Sequence, residues 1–260
     1  MDDPRATSAA RFLPSSSAVA AAVGPGPLLH VVETGSTNRD LVDEARAGVV
    51  DPVVLVADHQ TAGRGRLDRR WEAEPGAGLL MSVRVPIAQQ QANSVVQGVG
   101  AAARAAADSI CRVPVLAKWP NDLVVTDGAA PGKLAGVLGE FVDGPTTCVV
   151  VGIGINISPV PGQSGATSIE QCGGAADRDR LLAALLEELA SRLDDPSRLV
   201  EEQRIHSATL GTRVRAELPG GRVLSGTASD LDDAGSLLLV DDDGATHVVT
   251  TGDVIHLRPA

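Results

Sequence analysis

The chain has 260 residues, 43% of them hydrophobic, 2% aromatic and 21% charged, with a formal net charge of −11. That length holds one large domain, or a medium domain beside a small one, with enough apolar material for a packed core. The acidic balance opposes non-specific binding to nucleic acid or anionic membrane, and no apolar run nears the roughly 18–20 residues of a membrane span. A soluble, cytosolic protein is expected. Cys111, Cys148 and Cys172 are odd in number, far apart and without a C-x-x-C pair, and the five His form no H-E-x-x-H pattern. Neither a disulfide framework nor a structural metal is therefore expected. Residues 1–27 mix Ala, Ser and Pro and end in a Gly-Pro alternation. They read as a flexible leader: they lack the charged-then-apolar order of a signal peptide and are too short for a helix-turn-helix domain.

From Leu28 onward, apolar runs alternate with helical patterns. Residues 28–34 read as a strand, and 36–48 as a helix capped by Ser36 or Thr37 and closed at Gly48. Residues 53–60 read as a buried strand, followed by a polar Gly/Arg loop and a strand at 79–86. A small-residue helix is expected at 93–111, and further strands at 115–120, 122–125, 133–142 and 147–157. In 179–193, Leu181, Leu182, Leu185, Leu186, Leu189 and Leu193 fall on one helical face. This is an α/β pattern. After Gly211 it changes to short strands separated by P-G-G, D-A-G and D-D-G turns, with no helix, the mark of a small SH3-like β-barrel. The expected division is a leader at 1–27, an α/β domain at 28–208 and a small β domain at 209–260.

Of 22 basic residues, 20 are Arg and only Lys118 and Lys133 are Lys. A chain that uses Arg wherever any cation serves keeps lysine for work that needs a compact ammonium. Four segments could carry chemistry. Residues 63–71 set Arg64, Arg66, Arg69 and Arg70 among Gly63, Gly65 and Asp68, and end at Trp71. The glycines allow close backbone approach to a ligand, and Arg forks suit phosphate or carboxylate, although an Arg-rich loop alone is more often a solvated face. Lys118-Trp119-Pro120-Asn121-Asp122 is a second segment, which alone reads as an ordinary Asn-Asp turn. Gly132-Lys133-Leu134-Ala135-Gly136-Val137-Leu138 carries one ammonium on an apolar strand; alone, it could simply reach water. Gly152-Ile153-Gly154-Ile155-Asn156 lacks the third Gly and following helix of a dinucleotide fingerprint, but leaves a strand bare enough for a flat ligand.

In this order and spacing the four segments, with Glu33-Thr34-Gly35-Ser36-Thr37-Asn38 and the run from Asp58-His59-Gln60, closely resemble the biotin–protein ligase family. The resemblance covers the chain from about Glu33 to the C-terminus and is closest to monofunctional members without a DNA-binding domain. It implies a mixed-sheet catalytic domain of the biotin/lipoate ligase type and an SH3-like C-terminal domain. It also implies ATP-dependent activation of biotin to biotinyl-5′-adenylate with Mg²⁺, then transfer to one lysine of the biotin carboxyl-carrier domain of an acyl-CoA carboxylase. By resemblance, Lys133, Arg64 and Asp122 are catalytic. Ser36, Thr37, Gln60, Gly63, Arg64, Arg66, Lys133, Gly136, Leu138 and Gly154 bind biotin. Arg64, Arg66, Trp71, Lys133, Asn156 and Arg258 bind ATP or the adenylate. Metal ligands stay unassigned, and a monomer or weak homodimer without nucleic-acid or membrane partners is expected.

Trp71 is expected to cover the ligand and Trp119 to pack in the core, with Lys118 either supporting its turn or touching ligand. Two positions depart from the family pattern: Asp68 stands where Gly is usual, and Asp58 where Glu is common. Lipoate–protein ligase shares the fold and the adenylation logic. Gln60 and the paired Lys118–Asp122 and Gly132–Leu138 segments favour biotin. A non-catalytic binding module is disfavoured by the intact charges at Lys133, Asp122 and Arg64.

Overall fold

The computed structural model describes residues 26–87, 91–143, 147–250 and the backbone of 256–259. The leader expected at 1–27 therefore falls almost wholly outside the described residues. The first half of the chain forms β1 (Leu28–Thr34), α1 (Thr37–Arg46), β2 (Val53–Gln60), β3 (Gly78–Pro86) and α2 (Ala92–Asp108). Next come β4 (Leu116–Lys118), β5 (Asp122–Val125), β6 (Gly132–Val142), β7 (Cys148–Asn156), α3 (Arg178–Asp194) and α4 (Leu199–Ile205). The C-terminal part adds β8 (Arg213–Glu217), β9 (Val223–Leu231), β10 (Leu237–Val240), β11 (Thr246–Val249) and β12 (His256–Pro259).

Strands β1–β7 form one sheet in the order β1-β2-β3-β7-β6-β5-β4. Only β1 and β2 run parallel; the other pairs are antiparallel, so the sheet is mixed. Side chains alternate between its faces. On β7, Val149, Val151, Ile153 and Ile155 join Val54, Val56, Leu79 and Met81 beneath α2 and α3, whose Val99, Ala102, Leu182, Leu185 and Leu189 complete the main core. Each of those leucines is essentially fully buried, a contribution of about 1.5–3 kcal/mol per side chain. The small residues of α2 serve close packing: a Cβ on Gly98 would stand 3.1 Å from Leu193.

The opposite face carries Cys148, Val150, Gly152 and Gly154 of β7. Its outer half is covered by α1 through Leu41, Val42 and Ala45, packed on Val53, Leu55 and Val150. Helix α1 begins where the sequence signals it, with the Ser36 hydroxyl accepting from the Arg39 N–H at 3.5 Å. Over Gly152 α1 places only the Asn38 side chain, and the cavity described below opens beside it, towards Gly154.

Strands β8–β12 form an antiparallel sheet in the order β11-β10-β9-β8-β12. Its core of Val214, Ala216, Ala228, Leu231, Leu237 and Leu239 is completed by Trp119, which reaches in from the turn between β4 and β5. The Trp119 backbone N–H donates to Thr209 Oγ1 and its Nε1 to the Gly235 carbonyl, both at 3.0 Å. Glu202 on α4 accepts from Arg104 of α2 at 3.2 Å and from Arg192 of α3 at 2.7 Å. Burial raises the pKa of the Glu202 carboxyl, but the two guanidinium groups outweigh burial and hold it below the usual range.

Several boundaries differ from the sequence reading. The helix expected at 93–111 stops at Asp108, since residues 109–113 turn to meet the loop after β7, with the Arg112 N–H donating to the Cys172 carbonyl at 2.8 Å. The strand at 115–120 shrinks to Leu116–Lys118 before the cis Trp119–Pro120 peptide. Helix α4 was not foreseen: it buries only Leu199 and so lacks an apolar period. The last apolar run divides into β11 and β12, with residues 251–255 outside the described part.

Asp58 lies near the end of β2 and links it to two other elements. Its carboxylate accepts from Arg178 at the start of α3 and pairs with His30 Nε2 of β1 at 2.9 Å. Burial pushes the Asp58 pKa up, but the bonds from His30 and Arg178 prevail and hold it below the ordinary carboxylate value. Its stabilisation is thus present in full above that ordinary value and lost as pH falls through the lowered one. Asp58→Ala is expected to cost about 1.5–3 kcal/mol at neutral pH, since it leaves the nearly buried Arg178 without this partner. Urea unfolding at pH 7 and near pH 2 checks this, and the deficit should shrink on acidification.

Candidate active site

The cavity has a volume of about 360 Å³ and opens on the sheet face left bare by α1. Its floor is glycine. Gly136 of β6 and Gly154 of β7 are paired in register, and Gly152 lies one step further along β7. Each leaves space where a side chain would otherwise stand. Trp71 uses that space: a Cβ on Gly154 would lie 2.4 Å from the indole Cε2, and one on Gly136 would lie 3.3 Å from Cζ3. The Trp71 Nε1 is buried without a hydrogen-bond partner among the described residues.

The closed end of the cavity is polar. Gln60 Oε1, at the end of β2, accepts from the Thr37 N–H at 2.7 Å and from Thr37 Oγ1 at 3.0 Å. Thr37 Oγ1 lies 2.8 Å from Ser82 Oγ, and Ser36, Thr37, Asn38 and Ser82 are all buried. Hydroxyls and amides grouped beside an apolar floor suit a flat ligand with a polar head, whose donors and acceptors need partners once buried.

The Gly/Arg segment folds over the cavity as a tight loop. The Trp71 N–H donates to the Gly63 carbonyl at 3.0 Å, and the Gly65 N–H to the Arg69 carbonyl at 2.7 Å. Gly63 is needed for that closure, since a Cβ there would meet the Trp71 carbonyl oxygen at 2.3 Å. Leu67 and Asp68 both sit in the left-handed region, at φ 57° and 58°. Side chains resist that conformation and glycine adopts it freely, so Asp68 holds it at some cost in strain. Arg66 Nη1 donates to Asn121 Oδ1 at 3.3 Å. Burial, with Arg69 nearby, lowers the Arg66 pKa against the opposing pull of Asp122. Arg64 Nη1 lies 3.0 Å from both carboxylate oxygens of Glu140.

Lys133 and Asp122 meet at the cavity wall, with Nζ 2.6 Å from Oδ1. The ammonium also stands 5.7 Å from the Trp71 ring centroid, in cation–π range. Both side chains remain partly exposed, so the pair is open to exchange with an incoming anion. Asn121 fixes the turn that presents Asp122: its carbonyl accepts from the Val137 N–H at 2.8 Å, and its Nδ2 donates to the Val137 carbonyl at 3.1 Å.

Ser36, Thr37, Gln60, Arg64, Arg66, Trp71, Asp122, Lys133, Gly136, Leu138 and Gly154 therefore line one cavity, together with Lys118. Gly63 shapes the loop from behind. Asn156 does not reach the wall: its Nδ2 donates to the Thr167 carbonyl at 3.0 Å and to the Lys133 carbonyl at 3.4 Å, which holds the Lys133 backbone from the next layer. Arg258 stands opposite Arg215 on β12, and its side chain lies outside the described residues. Sequence reasoning missed Asn38 and Ser82 in the cavity lining, and Glu140 as the partner of Arg64. No group of three or more His, Cys, Asp or Glu suited to a metal occurs among the described residues. Nor is any helix among them long and apolar enough to cross a membrane.

Residues 34–156 match the family model described as biotin/lipoate A/B protein ligase family, and residues 209–257 match that of the biotin protein ligase C terminal domain. The chain is 42% identical over 248 residues to the biotin–[acetyl-CoA-carboxylase] ligase of Mycobacterium tuberculosis, covering 88% of each protein. Among solved structures it is similar to the biotin protein ligase from Aquifex aeolicus in complex with biotin and ATP. That match has 26% identity and a TM-score of 0.74, covering 90% of this chain and 99% of the other. It is also similar to the biotin protein ligase from Leishmania major in complex with biotinyl-5-AMP, at 26% identity and a TM-score of 0.59, covering 86% and 98%. With a relative this similar over nearly its whole length, the chain belongs to the biotin protein ligase family.

Proposed function

We propose that this chain joins biotin to a lysine of the carrier domain of an acyl-CoA carboxylase, through biotinyl-5′-adenylate, acting in the cytoplasm on MgATP. One observation carries the chemistry: an exchangeable Lys133–Asp122 pair stands on the wall of a cavity with a glycine floor, a polar closed end and an Arg-bearing loop above it. The polar end around Thr37 and Gln60 suits the ureido ring of biotin, and the glycine floor with the Trp71 ring over it suits its flat body. Biotin's carboxylate must attack the α-phosphate of ATP and expel pyrophosphate, which brings two anions together. The Lys133 ammonium offsets their repulsion and the charge that grows in the transition state.

Once phosphate oxygens compete for Lys133, Asp122 is released from its partner. The acceptor lysine must lose a proton before its amine attacks the mixed anhydride and expels AMP, and Asp122 stands where it can take that proton. Arg64, Arg66 and Trp71 on the loop cover the adenylate and keep water from it. Mg²⁺ enters on the nucleotide's phosphates, consistent with that ion's preference for phosphate and water over an all-protein cage. The division into a leader at 1–27, a catalytic domain at 28–208 and a small domain at 209–260 belongs to this reading.

The test is transfer of labelled biotin to a purified carrier domain, run with native protein and with Asp122→Asn. Native protein should label the domain, and a carrier with its acceptor lysine changed to Arg should stay unlabelled. Asp122→Asn should slow transfer from preformed adenylate by about 10²–10⁴-fold, the usual worth of a positioned base. Adenylate formation should suffer less. Native-rate transfer by Asp122→Asn would remove the base from that residue.

A further inference from the structure

Glu140 sits on β6, four residues beyond Gly136, and its charge does not enter the chemistry above, although its partner Arg64 does. A continuous polar chain leads to it from the closed end of the cavity. Gln60 Oε1 accepts from Thr37 Oγ1, Thr37 Oγ1 lies 2.8 Å from Ser82 Oγ, and Ser82 Oγ donates to Asn38 Oδ1 at 3.1 Å. Asn38 Nδ2 then donates to Glu140 Oε2 at 2.6 Å, and both Glu140 oxygens receive Arg64 Nη1 at 3.0 Å. Thr37, Asn38 and Ser82 are at most 4% exposed, so the middle of this chain is shielded from water. Gly152 makes room for it, since a Cβ there would stand 2.6 Å from Asn38 Oδ1. Two hydroxyl hydrogens, those of Thr37 and Ser82, serve three contacts. Which donors are engaged therefore changes with what binds at the Gln60 end.

We infer that Glu140 is a positioning residue that couples the two ends of the site: through Asn38 it senses the polar pocket, and through Arg64 it holds the loop over the ligand. An acidic group suits this task because Asn38 offers an N–H and Arg64 a cation, and a carboxylate accepts both at once. The geometry joins elements distant in sequence: Asn38 is on α1, Ser82 on β3, Glu140 on β6 and Arg64 in the loop after β2. Filling the pocket then favours the closed loop, and a closed loop slows escape from the pocket. The two effects are one coupling free energy seen from either side.

This inference rests on the biotin-ligase reading. Its test measures release of a non-hydrolysable biotinyl-adenylate analogue from native protein, Glu140→Gln, Arg64→Gln and the double variant. Glu140→Gln keeps the volume and an acceptor for Asn38 but loses the charge that faces Arg64. Glu140→Gln should release the analogue about fivefold faster and Arg64→Gln at least as fast, and the double variant no faster than Arg64→Gln alone, because the effect of Glu140 passes through Arg64. Glu140→Asp should recover part of the native retention. Native-like release from Glu140→Gln, or fully multiplicative effects in the double variant, would overturn the coupling while leaving the ligase assignment intact. Failure of native protein to retain the analogue would overturn both.

Discussion

Replacing Lys133 by Ala is expected to slow biotin-dependent adenylate formation by about 10²–10³-fold while leaving the thermal unfolding midpoint close to native. The expectation follows from where the ammonium stands. It is 2.6 Å from Asp122 and 5.7 Å from the Trp71 ring, on a strand whose backbone is already paired on both sides. Removing a preorganised charge from the point where two anions meet costs rate rather than stability, and losses of this size accompany single electrostatic contacts in transition states. The partly exposed side chain adds little to the fold, since an exposed ion pair is worth at most about 1 kcal/mol. Lys133→Arg keeps the charge but replaces a compact ammonium with a longer planar fork, and should recover only a small part of the rate. Single-turnover adenylation with both variants decides the matter, and a native rate in Lys133→Ala would contradict the role given to the ammonium.

Gly154→Val is expected to raise the biotin concentration needed for half-maximal rate by about tenfold to a hundredfold. A single Cβ at this position meets the Trp71 ring at 2.4–2.9 Å, and valine adds two methyl groups above the floor on which the ligand would lie. Overfilling of a packed site costs about 1–3 kcal/mol, which corresponds to that range of affinity. Gly136→Ala should be milder, because its Cβ would meet Lys133 Nζ at 3.2 Å and Trp71 Cζ3 at 3.3 Å, and the lysine end can move aside. Calorimetric titration of biotin into each variant checks the ranking. Native affinity in Gly154→Val would mean that the ligand does not lie on this floor.

Much of the main sheet was legible in the sequence because its signals are local. The run 53–57 is apolar throughout since that part of β2 is buried on both faces, and Ser36 with Gly48 marks the two ends of α1. The scarcity of lysine and the glycines at 136, 152 and 154 pointed to residues that line the cavity. Glu140, Asn38 and Ser82 were not legible. Their importance depends on which residues of β3, β6 and α1 share a face, and that is decided by strand order and register across more than a hundred residues. Helix α4 was missed for the opposite reason. Its position is set by Arg104 and Arg192 gripping Glu202 rather than by an apolar stripe of its own. Asn156, expected from its motif to reach the adenylate, takes its partners from the layer behind the cavity, where its amide is engaged with the Lys133 and Thr167 carbonyls.

The most direct test of the central claim is exchange of labelled pyrophosphate into ATP, measured with folded native protein and Mg²⁺ in the presence of biotin and, in parallel, lipoate. Exchange that depends on biotin and fails with lipoate is the predicted result, because it reports reversible adenylation at this cavity. Exchange with lipoate in place of biotin, or none with either, would contradict the account.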